Sequence, residues 1–214
     1  MFNQFRRAAI SKFAKYEPAV TKKQNLFFSS VSASAGIGPH RYSNAMQFIH
    51  WTMGGSLIAC VGFVQAAQYT KGKEKGRMMF LHKSFGVLAA GMLLPRVALR
   101  LGSALPKHIP GPSWETMSAN LMHWALYGFM IVMPASGVAM GYYGGKGLPF
   151  FFTTLPGAAK ADGKTAKFAF TYHKLIGHYS QYLIPLHVGA VGYHLVIRGK
   201  NILPRILPFG KVGP

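Results

Sequence analysis

The chain is poor in acids and in cysteine. Only 4 Asp and Glu stand against 24 Lys and Arg in 214 residues, and the single cysteine, Cys60, lies inside an apolar run. One thiol excludes a disulfide framework, a paired-cysteine zinc site and C-x-x-C-H haem attachment, so any cofactor must be held without thiols. The sequence has no phosphate-binding glycine loop, nucleophile elbow or carboxylate pair, which removes the usual soluble-enzyme classes. It shows no solenoid repeat and no long low-complexity tract. A formal charge of +20 raises nucleic acid as a partner, but the cations stand mostly between apolar runs instead of forming a stripe interleaved with aromatics. No nucleic-acid partner is expected.

What the chain does have is length in its apolar runs. Residues 42–70, 116–145 and 175–197 contain no charged side chain, and each exceeds the roughly 20 residues a helix needs to cross the hydrocarbon. A fourth run, 78–101, carries Lys83, Arg96 and Arg100; Lys83 and Arg100 are near its ends, where long side chains snorkel to the interface. The expected fold is all-α, a transmembrane up-down four-helix bundle, with the lipid bilayer as its first partner. Pro95, Pro134 and Pro185 fall inside spans. Each removes a helical hydrogen bond, which neighbouring helices can compensate, so a bundle is implied and not independent helices.

Three connectors follow. "YTKGKEKGR" (69–77) reads as a short basic turn, "LPKHIPGPSWE" (105–115) as a Pro/Gly-rich link, and 146–170 as a longer loop whose "LPFFFTTLPG" (148–157) lies along the interface. Residues 1–40 form a separate, basic, Ser-rich extension, "MFNQFRRAAISKFAKY" followed by "FFSSVSASAGIG". Its composition suits a mitochondrial import sequence or a basic helix on a membrane surface. The expected division is 1–40 extension, targeting-like or partner-binding; 41–207 four-span domain; 208–214 C-terminal tail.

Histidines mark the chemistry. His173 and His187 are 14 residues apart, so on one helix they point within about 40° of each other while roughly 21 Å apart along the axis. His50 lies early in the first span and His82 early in the second. Up-down order sets His50 level with His187 and His82 level with His173, one pair per leaflet. Haem iron takes two axial nitrogens from opposite faces of a flat, apolar macrocycle, so two b-type haems are the expected cofactors. Zinc would want three or four ligands at one point. Arg96, also 14 residues beyond His82, shares its face in the other leaflet. An intramembrane arginine needs either a backbone carbonyl or an anion such as a haem propionate.

These residues resemble the bacterial-type cytochrome b-561 family over about residues 39–207. "RYSNAMQFIHW" (41–51), "FLHKSFGVLAAGMLLPR" (80–96), "HWALYGFMIVMPASG" (123–137) and "YHKLIGHYSQYLIPLH" (172–187) resemble its four spans in order. The resemblance implies two bis-histidine haems, one on His50 and His187, the other on His82 and His173. It also implies a role for His123 near the first haem, though not as a ligand; His123 would line a quinone or proton-exchange site, or serve as a packing hydrogen bond. His194 is the rival ligand, His178 falls outside the gap by helical geometry, and Arg77, Lys83 and Lys174 are placed either to neutralise propionates of the second haem or to anchor at the interface.

Two functions are then open. One is electron transfer within or across the mitochondrial inner membrane, linked to ubiquinone, in a subunit of a respiratory complex or supercomplex; quinone-linked oxidoreductase activity is left open with it. The other is a supernumerary structural subunit that keeps the fold with haem inactive or absent. A bacterial-type plasma membrane is the alternative location. The extension and the 146–170 loop exceed the compact family pattern and suit contacts with other subunits.

Overall fold

The computed structural model describes residues 41–208 except 104, 105, 107 and 108; the N-terminal extension, and the tail beyond 208, lie outside the described residues. The chain folds into an antiparallel bundle of α1 (Asn44–Tyr69), α2 (Gly72–Gly102), α3 (Ser113–Tyr143) and a bent fourth helix made of α4 (Gly163–Ser180) and α5 (Leu183–Val196). Between α3 and α4 stands a small hairpin, β1 (Leu148–Phe150) and β2 (Thr153–Leu155). The all-α up-down bundle expected from the charge-free runs is thus the observed architecture, and α1, α2 and α3 are long and apolar enough to cross a membrane.

Local chemistry sets the ends. Ser43 caps α1 by accepting a hydrogen bond from the Met46 amide at 3.3 Å, an interaction whose loss typically costs about 1 kcal/mol. The buried Gln47 amide is satisfied on both sides, donating to the Tyr42 carbonyl at 2.8 Å and accepting from Arg41 at 3.1 Å. α2 opens six residues before the expected span at 78. Gly72, at φ 54, makes the sharp entry, a left-handed conformation that favours glycine. The Lys and Glu that made 69–77 read as a turn are good helix formers where water covers them.

The bent fourth helix also starts earlier than the span expected from 175. Asp162 caps α4, its Oδ1 accepting from the Lys164 and Thr165 amides at 3.0 and 3.1 Å, so the loop expected over 146–170 gives way to helix at Gly163. The bend at Gln181–Tyr182 has a local cause. Pro185 has no N–H for the Gln181 carbonyl, and the Tyr182 amide turns instead to the Tyr179 carbonyl, three residues back, at 3.4 Å. Helices α2 and α3 continue through Pro95 and Pro134.

The hairpin docks on α2 through Ser84, whose hydroxyl accepts from the Phe151 amide at 3.1 Å and donates to the Pro149 carbonyl at 3.4 Å. Phe151 takes φ 46, and its ring meets Phe85 edge-on at 5.2 Å; Phe85 in turn stacks on Phe63 of α1 at 5.7 Å. At the opposite end the chain after α5 returns to α1. The Tyr42 amide donates to the Arg205 carbonyl at 2.9 Å, and the Trp51 indole to the Ile206 carbonyl at 3.0 Å.

The central core is small, Met53 with Phe129 and Met130, surrounded by Leu57, Met92, Leu93, Leu183 and Ile184. Large apolar side chains face outward instead, among them Leu94 at 78% and Trp124 at 76% exposure. Such a surface belongs in hydrocarbon, where close packing and not water expulsion holds helices together.

Candidate paired-histidine centres

Two histidine pairs form inside the bundle, one toward each end. Toward the chain-terminus end, the His50 and His187 rings are 6.3 Å apart centre to centre; toward the hairpin end, His82 and His173 are 6.2 Å apart. Two imidazoles bound on opposite sides of one metal, with metal–nitrogen bonds of about 2 Å, put their ring centres roughly 6 Å apart. Both separations fit one metal between each pair. Among the described residues no three or more His, Cys, Asp or Glu side chains converge to hold an ion; the donors come in twos.

The hairpin-end pair has a complete supporting shell. His82 Nδ1 lies 2.8 Å from the Cys60 carbonyl oxygen, which can only accept, so Nδ1 carries the proton. The Ser136 hydroxyl donates to the Val132 carbonyl at 2.7 Å and is left to accept from His173 Nδ1 at 2.9 Å. Both rings are thereby held in the tautomer that leaves Nε2 open to a metal, the arrangement typical of ligating histidines. Gly137 makes room for His173: a Cβ there would stand 3.3 Å from the imidazole Cε1. The Cys60 thiol lies 3.2 Å from His82 Nδ1 and lines the site, with no partner thiol among the described residues.

The terminus-end pair is built differently. Arg96 brings Nη2 to 3.3 Å from His50 Nδ1, and because guanidinium can only donate, this nitrogen of His50 is the acceptor. Arg96 Nε is buried with no hydrogen-bond partner among the described residues. An intramembrane cation with an orphaned N–H, in a bundle whose spans carry no acid facing it, suits an anion such as a propionate. His123 on α3 stands edge-on to His187 at 6.0 Å and is exposed. The other expected residues sit apart. His178 is exposed against Tyr179; His194 is two turns beyond His187 with Nδ1 buried; Arg77, Lys83 and Lys174 are exposed around the hairpin end.

Sequence reasoning missed Cys60, Ser136 and Gly137 as parts of the site. Ser136 and Gly137 follow Pro134 in an otherwise bulky apolar run, a cluster of small residues that marks close approach between membrane helices. The role of Cys60 runs mainly through its backbone carbonyl, which no side-chain pattern records.

Comparison with known proteins gives the family. The family model described as prokaryotic cytochrome b561 matches residues 41–209. A probable superoxide oxidase CybB of Yersinia pestis is 26% identical over 169 residues, covering 78% of this chain and 96% of that protein. A cytochrome b561 homolog 1 of Escherichia coli (strain K12) is 24% identical over 176 residues, covering 79% of this chain and 98% of that protein. Residues 1–40 precede the matched region.

Proposed function

Because the chain belongs to the prokaryotic cytochrome b561 family, we propose that it is a dihaem b-type cytochrome that passes electrons between a donor and ubiquinone. In this reading it acts in the mitochondrial inner membrane as a subunit of a respiratory complex or supercomplex. The observation that carries it is the pair of histidine clamps, 6.3 and 6.2 Å across, one in each half of the bundle.

His50 and His187 would hold one haem, and His82 and His173 the other. A bound haem supplies reversible one-electron chemistry at its iron. The chain's own residues do the rest. The Cys60 carbonyl and Ser136 hydroxyl fix ring orientation and raise ligand basicity at the hairpin end. Arg96 supplies a positive field at the terminus end, favouring the reduced state there. His123, exposed on α3 beside His187, would exchange a proton with a quinone arriving from the lipid. The hairpin covers α2 at Ser84, with Phe151 against Phe85. The basic, Ser-rich extension suits import into mitochondria or contact with neighbouring subunits.

A second reading rests on the Arg96–His50 contact at 3.3 Å. With Nδ1 of His50 engaged as acceptor, a neutral ring carries its proton on Nε2, the nitrogen a metal would need. In that state the chain is a structural subunit that keeps the cytochrome fold with haem inactive or absent. Reduction of the purified protein by ubiquinol, followed in the visible spectrum, separates the two. Electron transfer gives haem bands that sharpen on quinol addition; a structural subunit gives none.

A further inference from the structure

We propose that the groove between α2 and α3 binds an anionic phospholipid, with one acyl chain in the groove and the headgroup on lysines at its hairpin-end mouth. The groove has a volume of about 540 Å³ and is lined by Ala90 and Leu93 of α2 and, along α3, by Ile131, Ala135, Ala139 and Tyr143 among others. From Ile131 to Tyr143 α3 rises roughly 18 Å, close to the ~15 Å of one leaflet's hydrocarbon. The groove therefore matches a single leaflet's acyl chain and stops at mid-membrane.

Its mouth has the chemistry of a headgroup layer. Tyr142 and Tyr143 are 45% and 39% exposed there, amphipathic rings of the kind enriched at membrane interfaces. Lys146 follows three residues later. The 158–162 segment is tied to the same point, the Ala158 amide donating to the Tyr142 carbonyl and the Asp162 amide to the Tyr143 carbonyl, each at 2.9 Å. That tie brings exposed Lys160 alongside, with exposed Lys164 in the first turn of α4. Asp162 is the acid at this mouth, and its carboxylate is occupied by the Lys164 and Thr165 amides and the Thr165 hydroxyl. Glu74, the other described acid at this end, belongs to the first turn of α2. Charge complementarity thus selects a negative headgroup, whereas a quinone ring, being neutral, would not require the lysines.

Native mass spectrometry of the full chain in detergent tests this, with palmitoyl-oleoyl phosphatidylglycerol against phosphatidylcholine of the same chains. The expected result is one retained phosphatidylglycerol, bound at least tenfold more tightly than phosphatidylcholine. Lys146→Gln with Lys160→Gln, both exposed and so neutral for folding, removes that preference. Ala135→Phe, which fills the groove from its exposed side, weakens both lipids, and inorganic phosphate alone does not compete. Equal affinity for the two lipids overturns the headgroup assignment. Unchanged binding in Ala135→Phe overturns the groove, and displacement by ubiquinone that is insensitive to the lysine changes reassigns the groove to quinone.

Discussion

Removing the Ser136 hydroxyl should loosen one haem and leave the other. Ser136 Oγ donates to the Val132 carbonyl at 2.7 Å and accepts from His173 Nδ1 at 2.9 Å; Ser136→Ala removes that acceptor and leaves the imidazole only the Met133 backbone to turn to. The direct cost is the loss of one neutral hydrogen bond, about 1 kcal/mol, with a further desolvation penalty of about 1–3 kcal/mol if the N–H stays unpaired. For groups that hydrogen-bond the free nitrogen of a metal-ligating histidine this corresponds to roughly 10–100-fold in affinity. The effect is confined to the His82/His173 centre, because His187 lies beyond the bend on α5 in the separate pair with His50. Its midpoint potential should also rise, since a less basic imidazole stabilises ferric iron less. Haem transfer to excess apomyoglobin should become biphasic, with one haem leaving at the wild-type rate and the other much faster. Ser136→Thr, which keeps the hydroxyl, should restore a single slow phase. Equal acceleration of both haems, or none, would refute the role given to Ser136.

Three other outcomes follow from the same geometry. His187→Ala should remove one haem per chain and leave the second, because the ligand pairs share no residue; unchanged stoichiometry would mean another group, His194 first, supplies the ligand. Arg96→Leu should lower the midpoint potential of the His50/His187 haem, since a nearby cation favours the reduced, less positive centre; a redox titration without a shift there would remove the propionate role. At the start of α4, hydrogen bonds from the Thr165 hydroxyl, then from the Thr165 amide, hold the Asp162 carboxyl below its ordinary value of 3.8. A depressed folded-state value means the cap is fully present at neutral pH and is lost as pH falls below that ordinary value. Amide exchange at Lys164 and Thr165 should accelerate in that window, and Asp162→Asn should remove the pH dependence.

The bundle was legible because charge is absent over long runs, and α1 and α3 follow those runs closely. Where the sequence carries lysine, length ceases to be a guide. α2 and α4 both project beyond the expected spans on Lys-rich turns, and only the N-cap at Asp162 signals the second of these. The bend at Gln181 follows from Pro185, which composition exposes. The hairpin was not legible: its anchor, Ser84, is 65 residues from the Pro149 carbonyl it meets, and the left-handed Phe151 depends on that tertiary contact. The histidine pairs were readable from a 14-residue interval because helical rise and angle are fixed. Their supports were not, since a backbone carbonyl at Cys60 and a hydroxyl at Ser136 contribute through geometry that no spacing encodes.

The most direct test of the account is a haem count. Purified protein, or its parent complex, would be extracted, its b-type haem quantified per chain, and its reduced-minus-oxidised spectrum recorded. Two haems per chain, both reducible, are the predicted result; a chain that folds and purifies without haem would contradict the electron-transfer account and leave a cytochrome fold kept for structure alone.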